Sequence, residues 1–315
     1  MKNNYNVYDR IISFFDFFGR IFNMELCEAI YYRKTTEFFS NKKLKDHLIE
    51  DVRRACNNIT YINEDLNIQA HVIDKGHLIH FLMGKECKIK APHYIVVTSD
   101  GGKDHLQNVG YAMEEVVLFM TSLGIATCWI DSHLTKTDIL DCLKTEEDER
   151  DFVRDEGFEV AEMMKDAELD ESIGEPCIII AFGMPIKSEP LFRTRFAIPD
   201  RRNISKISKG MKGEWEEVME LIRRAPSVKN TQPWYVLRDK KGIHFFEKVP
   251  KKAALRDMSK ISMGIALKHF DLACREKGMT VVYKDMNLRN RIGGREYFIS
   301  AEPRNYVADD LDDEE

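Results

Sequence analysis

Similar landmarks occur in the same order in the two halves of this 315-residue chain. The first half carries Arg33-Lys34-Thr35, then Arg53-Arg54-Ala55, then VIDKGHLIHFL from Val72, and the second carries Arg201-Arg202-Asn203, then Arg223-Arg224-Ala225, then LRDKKGIHFFE from Leu237. Self-similarity of this kind limits the fold, because each half must then be built from a similar order of helices and strands.

A long helix is predicted next in each half, in NVGYAMEEVVLFMTSLG and in SMGIALKHFDLACREKG. Gly110 and Gly124 lie 14 positions apart, as do Gly264 and Gly278, and the second glycine of each pair suits a helix C-terminus. The strand-like runs ATCWI and MTVVYKD follow the two helices. These matches predict an internal duplication. The alternative is two unrelated α+β halves made from common helix and hairpin patterns.

The remaining periodicity predicts an α+β fold. Amphipathic helices are expected at Leu44–Cys56 and Glu214–Arg224, and strands at Ile68–Asp74, His93–Thr98, Cys177–Phe182, Tyr235–Arg238, Ile243–Glu247 and Tyr297–Ala301. The DKG and DKKG segments are expected to be hairpin turns. We therefore predict mixed, mostly antiparallel sheets flanked by helices, with two halves that pack as a dimer does but within one polypeptide.

The expected organisation is an N-terminal extension at 1–23, a first half at 24–196, a second half at 197–305 and an acidic tail at 306–315. The run from Ile11 to Phe22 is strongly apolar but contains Asp16 and Arg20, so it favours an amphipathic extension that packs on the body rather than a signal peptide. An alternative start at Met24 stays open. The acidic stretch from Lys144 to Glu175 is expected to be an exposed excursion with a short helix around Val160–Lys165.

Composition excludes several classes of function. A formal net charge of −6 and the absence of a nucleic-acid-binding motif argue against a polyanion partner. No stretch reaches the roughly 18 apolar residues of a membrane helix. The seven cysteines include no CxxC pair, which favours neither a zinc site nor a disulfide framework and points to a reducing, cytoplasmic compartment.

The segment from Ala225 to Trp234, APSVKNTQPW, carries the most unusual local chemistry. It offers a hydroxyl, two amides and a lysine on a chain stiffened by two prolines, between a predicted helix and a predicted strand. Such a loop could hydrogen-bond a polyol or a planar heteroaromatic ring with little ordering cost. A turn whose Asn and Ser side chains satisfy their own backbone is an equally open alternative.

This segment resembles the APSxxNxQPW flavin loop of the nitroreductase family of FMN-dependent oxidoreductases. AIYYRKT (29–35) is similar to the AIxxRRS segment of that family, LGIATCWID (123–131) to its LGLGTxWIGG segment, and IIIAFGMP (178–185) to its final IxxLGYP strand and turn. The resemblance covers roughly residues 25–300 and implies a nitroreductase-like fold, with the two halves forming an intrachain pseudo-dimer.

The resemblance also implies the residues of a cofactor site. It assigns the FMN phosphate to Arg33, Thr35, Arg193 and Arg195, the ribityl or pyrimidine edge to Ser227 and Asn230, and the surroundings of N5 to the backbone of Asp131 and Ser132. Lys34, Pro226 and Gln232, within the same motifs, complete the expected cofactor-binding set. Arg33 and Thr35 are expected on the first helix. The chemistry is carried by the flavin, so no catalytic side chain and no metal are assigned.

One FMN per chain is expected rather than two. The reciprocal site would need Arg201-Arg202-Asn203 to face a flavin loop in the first half, but Cys56–Thr60 has no Pro-Ser and no Gln-Pro-Trp. One departure from the family concerns Glu37, which stands where a basic residue usually neutralises the reduced flavin. A carboxylate there would lower the reduction potential. Lys34 or Lys229 could compensate, or Glu37 could turn to solvent.

Three further signals are discounted. His77 and His80 are expected on a strand, facing opposite sides, which argues against a shared metal. Glu114-Glu115 is expected on a solvated helix face, and Cys128 has no evident base to activate it.

The leading hypothesis is a monomeric oxidoreductase that passes hydride from NAD(P)H through FMN to a nitroaromatic, quinone or similar acceptor by a ping-pong mechanism. The alternatives are a flavin-binding sensor or reserve protein with little turnover, and a structural protein without cofactor. Nothing in the sequence selects NADH over NADPH.

Overall fold

The computed structural model describes residues 24–84, 87–144, 173–288 and 293–305. The extension at 1–23, the helix predicted around Val160–Lys165 and the acidic tail at 306–315 lie outside these residues. The chain divides into two compact units. Unit one comprises residues 1–25, 32–105 and 116–194, and unit two comprises residues 26–31, 106–115 and 195–315.

The described helices are α1 (Leu26–Tyr32), α2 (Asp46–Asn57), α3 (Gly76–Met83), α4 (His105–Ser122), α5 (Glu214–Arg223) and α6 (Arg256–Glu276), with one turn at Ile204–Ile207 and further helical residues at 136–144. The strands are β1 (Ile68–Ile73), β2 (His93–Ser99), β3 (Ala126–Asp131), β4 (Glu175–Gly183), β5 (Ser208–Lys209), β6 (Trp234–Asp239), β7 (Gly242–Glu247), β8 (Met279–Lys284) and β9 (Glu296–Asn305). The predicted α+β class is confirmed.

Unit one contains a four-stranded antiparallel sheet in the order β1-β2-β4-β3. Strand β2 is buried along its whole length, and its centre at Ile95–Val97 is apolar, as expected for a strand inside a sheet. Helix α2 begins at Asp46 rather than at the predicted Leu44, because the Leu44 amide donates to Nε2 of His93 at 2.9 Å and is held outside the helix.

Unit two contains a five-stranded sheet in the order β5-β6-β7-β9-β8, with β5 parallel to β6 and the other pairs antiparallel. The predicted DKKG turn is confirmed, since Asp239 pairs with Gly242 at the end of the β6–β7 hairpin.

The prediction of a hairpin turn at DKG, residues 74–76, is wrong. Gly76 begins α3, and its amide donates to the carbonyl of Pro92 at 3.0 Å. The run HLIHFLM places apolar residues at helical as well as at strand spacing, and the helical period prevails. His77 and His80 therefore lie on a helix and not on a strand.

The repeated helices meet through their repeated glycines. A Cβ on Gly110 would lie 2.0 Å from the carbonyl oxygen of Ile261, and one on Gly264 would lie 1.8 Å from that of Gln107. Each glycine thus faces the residue three positions before the other glycine, and only glycine permits this approach of backbones. Gly124 and Gly278 end their helices with φ of 73° and 70°, as predicted for C-terminal glycines.

The expectation of a solvated face at Glu114-Glu115 is wrong. Both residues are buried, with exposed fractions of 0% and 3%. Nζ of Lys268 lies 2.6 Å from a Glu115 carboxylate oxygen, and Nε2 of His269 lies 2.9 Å from one of Glu114. Because α6 supplies a basic partner for each carboxylate, this face is buried against a helix and not against water.

Candidate functional site

The segment after α1 carries the first set of predicted phosphate ligands. Helix α1 ends at Tyr32. The prediction that Arg33 and Thr35 lie on the first helix is therefore wrong. Thr35 instead forms a parallel bridge with Thr127 of β3, and the amide of Thr36 donates to the Thr127 carbonyl at 3.0 Å. Two consecutive β-branched residues favour this extended course.

Arg193 is brought to the same place from the end of unit one. Its amide donates to the carbonyl of Tyr32 at 2.8 Å, and the rings of Tyr32 and Phe192 make an edge contact with centroids 6.0 Å apart. Arg33 is 3% exposed and Arg193 is half-buried. This hydrogen bond therefore brings the backbone of Arg193 next to that of Arg33, which directly follows Tyr32 in the chain.

Lys34 and Glu37 differ in how they are engaged. Nζ of Lys34 forms an ion pair with Glu189 at 2.5 Å, so its charge is already offset by a carboxylate. Glu37 is exposed, which agrees with the alternative that it turns to solvent.

Strand β3 ends at the residues assigned to the N5 region. Asp131 is exposed and pairs in register with Ile178, while the hydroxyl of Ser132 accepts from the Leu134 amide at 3.3 Å. Burial, and then the charge of Glu37, raises the pKa of Cys128 to about 12, which keeps this thiol protonated.

Arg195 belongs to unit two, unlike Arg193. It forms an ion pair with Glu28 at 3.2 Å, and its guanidinium lies 5.8 Å from the ring centroid of Tyr31. The side chain is 53% exposed. The two arginines of the Arg-Thr-Arg segment thus have separate local partners.

The loop at 225–234 has an unusual backbone. Lys229, Asn230 and Gln232 adopt φ of 46°, 55° and 47°, which places three non-glycine residues in the left-handed region within four positions. That region costs roughly 1–2 kcal/mol per L-residue, less for Asn, so the surrounding contacts must hold it. Pro226 is buried and precedes this turn.

Side chains of the loop supply many of those contacts. The hydroxyl of Ser227 accepts from the Gln232 amide at 2.9 Å, and Nε2 of Gln232 donates to the carbonyl and the side-chain oxygen of Asn230, both at 3.2 Å. The Val228 amide donates to the hydroxyl of Ser262 at 3.1 Å. Ser227 therefore satisfies backbone of its own loop, as the alternative of a self-satisfied turn expects.

A second segment runs beside the loop, and the sequence did not predict it. Asn230 donates to the Asp200 carbonyl at 3.0 Å, Nη1 of Arg201 donates to Oδ1 of Asn230 at 3.0 Å, and the amide of Arg202 donates to Oε1 of Gln232 at 2.7 Å. Arg201 and Arg202 therefore contact the loop of their own half, although the sequence assigned them to a reciprocal site that would need a loop in the first half. No local pattern around Arg201 indicates this contact.

The antiparallel sheets, the flanking helices and the repeated halves define a nitroreductase-like fold. The chain belongs to the family described as "Putative TM nitroreductase", whose profile matches residues 25–153 and 160–274. These matches run through both halves and confirm the predicted family and the internal repeat.

A nitroreductase from Thermotoga maritima MSB8 shares the fold, with 21% identity, a TM-score of 0.52, and coverage of 87% of this chain and 92% of that one. Partial similarity extends to a nitroreductase family protein from Clostridium difficile 630, with 18% identity over 60% of this chain and 99% of that one and a TM-score of 0.40. A nitroreductase with bound FMN from Desulfitobacterium hafniense DCB-2 gives 19% identity over 53% and 93%, with a TM-score of 0.34.

A comparison with curated protein sequences found no match. Within the described ranges, no helix is both long and apolar enough to cross a membrane.

Proposed function

We propose that this protein is an FMN-dependent oxidoreductase that passes hydride from NAD(P)H to a nitroaromatic, a quinone or a similar acceptor. Membership of a nitroreductase family supports the class of reaction. The observation that supports FMN as the cofactor is the proximity of the Arg33 and Arg193 segments. The Arg193 amide donates to the carbonyl of Tyr32, the residue before Arg33, at 2.8 Å, and the two arginines are buried and half-buried.

The donor set at this junction fits a phosphate group. A guanidinium presents a planar fork that donates two parallel hydrogen bonds to phosphate oxygens, and it stays charged at every physiological pH. Arg33 and Arg193 would hold the phosphate, with the hydroxyl of Thr35 as a further donor. Lys34 would contribute less than the resemblance implies, because Glu189 already offsets its charge.

The loop at 225–234 would hold the ribityl chain and the ring. Asn230 and Gln232 use their amides within the protein, so they would act by keeping the backbone in its left-handed shape. The hydroxyl of Ser227 accepts one hydrogen bond and keeps its own hydrogen for a second partner. Ser227 can therefore donate to the cofactor, and the exposed Lys229 can meet negative charge on a reduced ring.

When bound, FMN would accept a hydride from NAD(P)H and later deliver it to the acceptor, in two half-reactions at one face of the flavin ring. The protein would bind, orient and tune the charge around the ring. The exposed Glu37 offers no positive charge to a reduced ring, so the protein would favour a lower potential than a member with a basic residue at this position. Seven free cysteines agree with a cytoplasmic setting.

The first test is the visible absorption spectrum of the purified protein, with released flavin quantified per chain. About one FMN per chain is expected. Two per chain would contradict the asymmetry between halves, and none after reconstitution would contradict the cofactor.

A pair of double variants tests the assignment of the loop. Ser227→Ala with Asn230→Ala should weaken FMN binding by at least about tenfold, because a donor and a support of the loop are lost together. Asn57→Ala with Asn58→Ala is the matched control at the end of α2, where both side chains are exposed. Equal losses in the two variants would contradict a single site.

A flavin-binding sensor or reserve protein is the second candidate. It is favoured by Glu37, a carboxylate at the position where the family usually has a basic residue. NAD(P)H oxidation with a quinone acceptor separates the two functions. Turnover supports the oxidoreductase, while retention of flavin without turnover supports the sensor. We propose a monomer as the working form, to be checked by light scattering.

A further inference from the structure

Residues 197–202 form a strap along the proposed flavin loop. The carbonyl of Ala197 accepts from Nη1 of Arg224 at 3.2 Å, at the residue that precedes the loop. At the other end, the backbone amide of Arg202 donates to the Gln232 side chain at 2.7 Å. Between these ends Asp200 and Arg201 contact Asn230. The strap is therefore hydrogen-bonded to the residue before the loop, to Asn230 in the turn and to Gln232 beyond it.

Arg201 occupies the central position in this arrangement. Its Nη1 atom donates to Oδ1 of Asn230 at 3.0 Å and to the Asp200 carbonyl at 2.9 Å, while Asn230 returns a hydrogen bond from Nδ2 to the same carbonyl. One guanidinium nitrogen thus fixes both the strap and the residue at the centre of the left-handed turn. A bond from a charged donor is stronger than one between neutral groups.

The arginine motif occurs in both halves, and its two copies can be compared. Arg201 corresponds to Arg33 in the landmarks of the two halves. Arg33 leads into a bridge with β3, whereas Arg201 bonds to a loop that the first half lacks, since Asn57 and Asn58 stand at the equivalent place. The two copies of one motif therefore have different contacts within their own units.

We propose that Arg201 is a positioning residue for flavin binding, which holds Asn230 and with it the left-handed turn that faces the cofactor. The second copy of the arginine motif has then exchanged a role in a reciprocal site for support of the loop of the existing site. This inference rests on the proposed function for its ligand, but the contact with the loop can be tested without the ligand.

The test compares Arg201→Gln with Arg202→Gln. The two variants remove the same charge from adjacent positions, but Arg202 donates to the loop from its backbone amide, which the substitution keeps. Hydrogen exchange is measured on the protein freed of flavin, at the amides of Val228, Asn230, Thr231 and Gln232, with the amides of α5 as an internal reference. FMN affinity is then measured by titration at two salt concentrations.

Arg201→Gln should speed exchange at the four loop amides by about tenfold and weaken FMN binding by a similar factor. Arg202→Gln should change both by less than about twofold, and Arg201→Lys, which keeps a charged donor, should restore part of the loss. Unchanged exchange in Arg201→Gln would overturn the proposal. Equal, strongly salt-dependent losses of FMN affinity in both variants would also overturn it, because they would show that charge acts from a distance.

If the wild-type protein binds no FMN, the proposed function fails and the flavin part of this inference fails with it. The exchange measurement still decides whether Arg201 holds the loop, because it needs no cofactor. The two failures are thus distinguishable.

Discussion

Glu115 and Lys268 form a buried ion pair whose disruption can be predicted in size and in pH dependence. Their N–O distance is 2.6 Å, and the side chains are 4% and 0% exposed. The ammonium also lies 3.6 Å from the ring centroid of Tyr111. Burial lowers the pKa of Lys268, while the charges of Glu115 and Asp271 oppose that shift. The cation is therefore stabilised in the core chiefly by its partners.

Glu115→Met removes the first of these partners, so the buried ammonium loses the carboxylate oxygen that lies 2.6 Å from it. Breaking a buried pair on one side destabilises a protein by about 3–5 kcal/mol, against a total stability of about 5–15 kcal/mol. Lys268→Met leaves the Glu115 carboxylate buried and should destabilise by a similar amount. The double variant buries two unbranched apolar side chains of similar length and should lie within about 2 kcal/mol of wild type.

Urea unfolding of the four proteins at pH 7 measures this cycle. A double variant as unstable as the two single variants together would refute the reasoning, because it would show no coupling between the residues. Glu302→Gln is the control, since it breaks an exposed pair with Lys284 that is formed at 2.5 Å, and it should have no measurable effect.

The pH dependence gives a second check on the same variants. In Glu115→Met the buried Lys268 binds its proton less tightly than it does in the unfolded chain, where its ordinary pKa is 10.5. The folded state then holds fewer protons, so stability rises with pH up to that value and falls as the pH is lowered. The loss relative to the double variant should therefore shrink between about pH 7 and pH 9.5. A loss that is constant over this range would mean that no uncompensated cation is buried.

Three further outcomes follow from the same contacts. Gly264→Ala would place a Cβ 1.8 Å from the carbonyl oxygen of Gln107, so the thermal midpoint should fall by many degrees, as a melting curve would show. Glu37→Lys should raise the reduction potential of bound FMN, as measured by dye titration. Burial lowers the pKa of His93 from 6.5 to about 4, so the unfolded chain binds this proton more tightly than the folded one. The free energy of unfolding should therefore fall by about 2–3 kcal/mol as the pH is lowered from 6.5 to 4. His93→Gln should flatten that slope in urea titrations, and an unchanged slope would contradict the assignment.

Strands and long helices were predictable wherever one hydrophobic period stood alone. The segment at His93–Ser99 has an apolar, β-branched centre at Ile95–Val97, and its strand was predicted to within one residue. The segment at Gly76–Met83 was not predictable in the same way, because HLIHFLM satisfies both periods and the choice depends on contacts of Gly76 with Ala91 and Pro92.

Charges in the core could not be predicted from periodicity either. Glu114 and Glu115 are polar, and polar residues on a helix usually face water. What buries them is a lysine and a histidine on α6, about 150 positions further along the chain. No local window contains both partners, so only the tertiary contact shows that this face is internal.

The candidate site shows the same limit at the level of hydrogen bonds. The flavin assignment of the loop at 225–234 came from its resemblance to a family motif, and the family match supports that class of protein. The sequence could not show that Gln232 is 3% exposed and occupied by Arg202 and Asn230. Motif similarity thus selects the candidate loop, while the structure shows which of its side chains already bond within the protein.

The duplication explains why some repeated positions kept their roles and others did not. Gly110 and Gly264 face each other's helices reciprocally, so a larger side chain at either one would move both backbones. Such positions are constrained in both copies. Arg33 and Arg201 differ in their surroundings, since the segment of Arg33 bridges to β3 and Arg201 bonds to a loop of its own unit. The loop at 225–234 has no counterpart with its Pro-Ser and Gln-Pro-Trp residues in the first half, so the contact of Arg201 with Asn230 cannot be repeated by Arg33 in its own half.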